Sequence, residues 1–148
     1  MKRIVFNLIA VLLMSSGTIA QVEINPGTLM LEADNQDQIF MDIVITNNNS
    51  ESIKIYWKYE PGDNYPANWK TQICDLNLCY RWDDFESNAR FPNVVQPEEK
   101  VVFTIKVKNN MNEDFPVSGN AYGILRLFDD PDRTNEIAST TNVISSTK

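Results

Sequence analysis

Three stretches of the chain repeat a two-residue rhythm that a β-strand with one buried face satisfies and an α-helix does not. Ile39, Met41, Ile43 and Ile45 alternate with Phe40, Asp42, Val44 and Thr46. Ile53, Ile55, Trp57 and Tyr59 alternate with Lys54, Tyr56 and Lys58. Val101, Phe103, Ile105 and Val107 alternate with Val102, Thr104, Lys106 and Lys108. Successive side chains of a strand point to opposite faces, so one set in each run meets a core and the other meets water. Lysine at the outward positions of the last two runs says which set is which. β-Branched residues dominate all three, and no i, i+3, i+4 stripe survives.

Turn chemistry separates the runs. Asn47-Asn48-Asn49-Ser50 joins the first two, and such residues bond their own backbone and tolerate left-handed conformations. Asn48-Asn49-Ser50 also matches a glycosylation acceptor pattern, but a turn explains it. Pro97-Glu98-Glu99 precedes the third run, and Asp129-Asp130-Pro131-Asp132 divides Tyr122–Phe128 from a weak strand around Asn135–Ile144. Near the front, Pro26-Gly27 splits Val22–Ile24 from Thr28–Leu31, which suits an edge strand that changes direction. These elements predict an all-β, two-sheet sandwich of about seven strands, its edges blunted by Pro26 and by the outward lysines. Residues 60–96 lack patterning and read as one long loop. Its rings (Tyr65, Trp69, Tyr80, Trp82, Phe85) argue against disorder.

The first twenty residues differ from the rest. Lys2 and Arg3 lead an apolar run from Ile4 to Met14, then small residues end at Ala20. This is the pattern of a cleavable secretory signal, too short to cross a bilayer core that needs about 20 apolar residues. Residues 1–20 are therefore expected to be removed, leaving 21–148 as a single domain in a secreted or periplasmic setting. Loss of Lys2 and Arg3 moves the net charge from −7 to −9, which repels phosphate backbones and anionic lipid. Nucleic acid and, after cleavage, the membrane are thus poor partners.

Cys74 and Cys79 are the chain's two cysteines, and an oxidising compartment favours their pairing. Their Cα atoms must come within about 7 Å, so the segment between must turn back, and Asp75 and Asn77 suit such a turn. A loop so small contributes only about 2 kcal/mol through unfolded-state entropy, which makes it a local clip. The spacing is not the Cys-x-x-Cys of redox pairs, and two Cys without His do not complete a zinc site.

Trp57, then Pro66-Ala67-Asn68-Trp69, then Ile73-Cys74-Asp75 through Cys79-Tyr80, then Gln96-Pro97-Glu98-Glu99 and finally Gly123 before Ile124–Phe128 form a pattern. It resembles bacterial secreted immunoglobulin-like sandwich domains with a Trp…Cys-Asp…Cys-Tyr disulfide-loop signature. The likeness spans most of residues 21–148. It implies an immunoglobulin-like fold and an accessory or interaction module rather than an enzyme.

The residues themselves agree on the last point. Histidine is absent, so the commonest general base near neutral pH is missing and triads built on it are impossible. Asp83 and Asp84 are adjacent and point apart in extended chain. No phosphate-binding glycine loop occurs, the acidic turn at 129–132 lacks calcium-loop spacing, and no cofactor or metal is implied. Trp69, Tyr80 and Trp82 are the candidate binding residues, since rigid rings give contact area at little entropy cost. Equally, these rings can roof the open side of a sandwich. The reading is an exported module that binds another cell-envelope or extracellular protein through loops at one end. The alternatives are a carbohydrate-binding domain using the same three rings, and a subunit that assembles by edge pairing.

Overall fold

The computed structural model describes residues 21–32, 38–109 and 119–146. The leader expected at residues 1–20 lies outside them. The strands are β1 (Val22–Asn25), β2 (Thr28–Glu32), β3 (Gln38–Asn47), β4 (Ile53–Pro61), β5 (Trp69–Cys74), β6 (Asn93–Val95), β7 (Lys100–Asn109), β8 (Gly119–Phe128) and β9 (Glu136–Ser146). They form two sheets, one ordered β1-β3-β7-β5 and the other β2-β9-β8-β4-β6. The pairings are antiparallel except that of β2 with β9. The chain is an all-β two-sheet sandwich.

The rhythm of the sequence becomes the core. Ile39, Met41, Ile43 and Ile45 of β3 and Val101, Phe103, Ile105 and Val107 of β7 are buried from one sheet. Ile55, Trp57 and Tyr59 of β4 and Leu125 and Leu127 of β8 meet them from the other. Register is set by this burial, because a slip of one residue would turn every apolar side chain outward. The Tyr59 ring crosses directly over Gly123, where a Cβ would collide with it. The Tyr59 hydroxyl accepts a hydrogen bond from Asn142 Nδ2 at 3.1 Å.

The Pro26-Gly27 split does what the turn chemistry implies. β1 lies at the edge of one sheet against β3, and β2 at the edge of the other against β9. At the opposite turn Asn47 is fully buried yet saturated. Its Nδ2 donates to the carbonyls of Glu51, Val95 and Gln96, and its Oδ1 accepts from Asn49 N.

Two expectations need correction. There are nine strands among the described residues rather than about seven, because two more, β5 and β6, lie within 60–96. Residues 60–96 are accordingly not one loop. β5 alternates Trp69, Thr71 and Ile73 inward with Lys70, Gln72 and Cys74 outward, a pattern of only three inward positions that its polar neighbours hide.

Phe103 sits at the centre of this packing with no exposed surface, whereas its neighbour Val102 faces outward. Phe103→Ala is expected to lower unfolding free energy in urea by about 3–5 kcal/mol, and Val102→Ala to change it by less than about 0.5 kcal/mol.

Candidate functional site

β5 and β6 are the edge strands of opposite sheets on the same side of the sandwich, and the chain between them closes that flank. Cys74 and Cys79 are disulfide-bonded across the five-residue step that begins it. Asp75 anchors the clip. Its Oδ1 accepts from Asn77 N at 2.9 Å and Leu78 N at 3.2 Å, the expected turn. Its Oδ2 accepts from Trp57 Nε1 and from Asn93 Nδ2, each at 2.9 Å. Trp57 belongs to the core of β4 and Asn93 to β6, so one carboxylate ties the clip of one sheet to the interior of the other. Asn93 Oδ1 accepts in turn from Leu76 N, and Asn77 Nδ2 donates to the carbonyl of Phe91.

The same segment satisfies both exposed edges. Tyr80 N donates to Ile73 O and Asp83 N to Thr71 O along β5. Tyr59 N donates to Phe85 O and Ser87 N to Trp57 O along β4. Arg133, from the acidic turn, donates to the carbonyls of Trp57 and Ser87 and lies 3.4 Å from Glu86. The flank is thus hydrogen-bonded on both sides and presents no long bare edge.

The three candidate binding rings have different fates. Trp69 is 5% exposed and Tyr80 7%, both packed into the core. Trp69 meets Tyr65 edge-on at 5.5 Å, and Tyr80 meets Trp57 edge-on at 4.9 Å. This is the roofing arrangement, and it follows from Trp69 being an inward position of β5. Trp82 is half-buried, with Lys108 Nζ 4.3 Å from its ring centroid. The aspartates Asp83 and Asp84 engage different cations, Lys70 at 2.6 Å and Arg81 at 3.7 Å. Asp83 turns the chain with φ of 63°, a left-handed conformation that Asp tolerates.

What the flank does expose is apolar, two leucines and a phenylalanine, and was missed in the sequence. Leu76 and Leu78 stand out from the clip, and Phe91, 59% exposed, stands beside them through the Asn77 bond. The available signal was the pair of leucines inside the cysteine loop, where turn residues alone would serve. In the acidic turn the Asp130 carboxylate accepts from Thr134 N and Asn135 N. The bond from Asn135 is the main cause of its lowered pKa. Among the described residues no group of three or more His, Cys, Asp or Glu side chains is placed to hold a metal ion.

Burial beneath the flank shows in the tyrosines. The pKa values of Tyr59 and Tyr65 are raised chiefly by desolvation, which disfavours the phenolate. A group whose folded pKa exceeds its unfolded one contributes stability that is complete below the unfolded value and is lost as pH climbs toward the folded one. Stability should therefore hold up to the ordinary tyrosine value of about 10 and fall beyond it. Absorbance at 295 nm on alkaline titration should show these tyrosines ionising only together with loss of the near-ultraviolet circular dichroism.

No family model and no curated protein sequence matches the chain. Among solved structures, 85% of the chain superposes on 97% of the N-terminal domain of PorA, with a TM-score of 0.65 at 15% identity. A family 123 glycoside hydrolase from Clostridium perfringens matches 81% of the chain with a TM-score of 0.52 at 12% identity, the chain spanning only 22% of that enzyme. At these identities the likeness is one of fold: the protein shares the two-sheet sandwich of these domains.

Proposed function

We propose that the protein is an exported, non-catalytic interaction module, of the immunoglobulin-like kind with a disulfide-clipped loop, that grips a protein partner through its clipped flank. The observation that carries this reading is the inversion of the flank's chemistry. Its large rings point inward and serve as support, while Leu76, Leu78 and Phe91 point outward on a segment held by a disulfide and by Asp75. Exposed apolar side chains on an ordered scaffold mark contact surfaces, and rigidity spares the entropy of ordering on binding. This proposal puts the contact on the flank, in place of the end loops expected from the sequence. In this reading Trp69 and Tyr80 position the flank, and Trp82 borders the contact.

The carbohydrate alternative asks for open ring faces. Of the three rings only Trp82 reaches the surface, and Lys108 lies over it, so the protein reading is favoured. The absence of histidine supports a non-catalytic role. Export rests on the leader pattern of residues 1–20 and on the Cys74–Cys79 bond, which fits an oxidising compartment, secreted or periplasmic.

Mass spectrometry of the protein recovered outside the cytoplasm should show an N-terminus near Gln21 and an intact Cys74–Cys79 crosslink. A retained leader would refute export. For the contact, a photo-reactive residue placed at Leu78 or Phe91 in producing cells should yield one discrete protein adduct, lost in Leu76→Asp. A residue at Ser139, on the outer face of β9, should yield none. Equal labelling at all three positions, or glycan-array binding without a protein adduct, would end the proposal.

A further inference from the structure

A second surface adjoins the flank, where Lys106 Nζ lies 3.8 Å from Cys79 Sγ and Lys108 covers Trp82, but it presents a different set of side chains. The outward positions of β7, a central strand, read Lys100, Val102, Thr104, Lys106 and Lys108, and Lys70 of β5 stands beside Lys108 in register. Four of the eight lysines of the sequence thus project from one sheet face of a chain with net charge −7. Lys70 is neutralised by Asp83 at 2.6 Å. Lys100, Lys106 and Lys108 form no ion pair among the described residues. Asp42, the carboxylate nearest the middle of the face, is held by Thr104 Oγ1 at 2.7 Å.

Apolar groups are interleaved with these cations. Phe40 is 60% exposed and opposes Lys106 in register, whose Nζ lies 5.8 Å from the ring centroid. Val102 is 48% exposed and opposes Val44. Outward positions along β7 recur every two residues, about 7 Å apart, which is also the repeat of alternate side chains in an extended peptide. β7 is paired on both sides, by β3 and β5, so its backbone offers no hydrogen bonds to an added strand. Recognition here must use side chains. An anionic polysaccharide would satisfy the lysines and leave Phe40 and Val102 facing hydroxyls, whereas a polypeptide with alternating acidic and apolar residues would satisfy both.

We infer that the outer face of the β1-β3-β7-β5 sheet, through Lys100, Lys106, Lys108, Phe40 and Val102, docks an acidic, apolar-bearing segment of a partner protein. Charge complementarity of this kind speeds encounter and sets specificity, and it weakens as salt screens it.

The probe is a fluorescein-labelled synthetic peptide of alternating Glu and Leu, read by anisotropy against the full mature domain. Binding should weaken about tenfold or more in Lys106→Glu/Lys108→Glu and on raising salt from about 50 to about 300 mM. It should weaken also in Phe40→Ala, and persist in Leu78→Asp, which separates this face from the flank. The substituted side chains face outward, so each variant should melt with the wild type; Lys106→Gln/Lys108→Gln replaces the charge reversal should that one unfold. Four outcomes would overturn the inference: no peptide binding, binding indifferent to the lysine substitutions, tighter binding of heparin than of the peptide, or self-association of the unliganded domain that the lysine substitutions abolish. The last would assign the face to a second copy.

Discussion

The Asp75 carboxylate is the interaction on which the flank depends. It is an acceptor-only group that takes four hydrogen bonds, two from the turn it begins and two from residues of the facing sheet. Trp57 is fully buried, and its indole N–H has its partner in Asp75. Removing the carboxylate would strand that donor at a cost of about 1–3 kcal/mol and free the clip from the core together. The disulfide shortens the loop, but the carboxylate aims it.

From that anchor follows the division between inside and outside. Because the flank is drawn onto the sandwich, Tyr65, Trp69, Tyr80 and Phe85 join the core and its margin, and Tyr59 stacks on Phe85 at 6.1 Å. The backbone of residues 80–87 meanwhile occupies the hydrogen-bonding edges of β5 and β4. A segment that reads as a loop therefore acts as the seal of an otherwise open side. Its leucines and Phe91, left without room inside, form the exposed surface.

Charge is partitioned between the faces as well. On the β2-β9-β8-β4-β6 sheet the outward cation Arg126 is bracketed by Glu60 and Glu136, each at 2.8 Å, and the bond to Arg126 holds the Glu60 carboxyl below its ordinary range. On the other sheet Lys106 and Lys108 lie over aromatic rings instead of carboxylates. Both are surface arrangements of modest energy, but they leave very different potentials. Arg126 is neutralised within its own face, whereas Lys106 and Lys108 form no ion pair among the described residues.

Much of the fold was legible because burial and strand geometry share a period of two. β3 and β7 each carry four inward apolar residues in alternation, so each declares its own faces without help from neighbours. β4 does so less cleanly, because Tyr56, an outward position by its rhythm, is buried beside Ile55 and Trp57. The sheet switch at Pro26-Gly27 and the turns at Asn47 and Asp130 were legible for a similar reason, since their backbone preferences are local. β5 was not. Its inward Thr71 is polar, and the strand exists because β7 on one side and residues 80–83 on the other complete its hydrogen bonds. The role of the rings turned on the same point: Trp69 and Tyr80 are equally good as ligand platforms or as core until the path of the flank decides. Sequence alone determined the alternating strands, the clip and the want of histidine chemistry, all properties of residues near one another in the chain. Only the tertiary structure decided which aromatic rings are spent on the core and which apolar and cationic side chains are left for a partner. That depends on contacts between residues far apart in sequence, which no local pattern records.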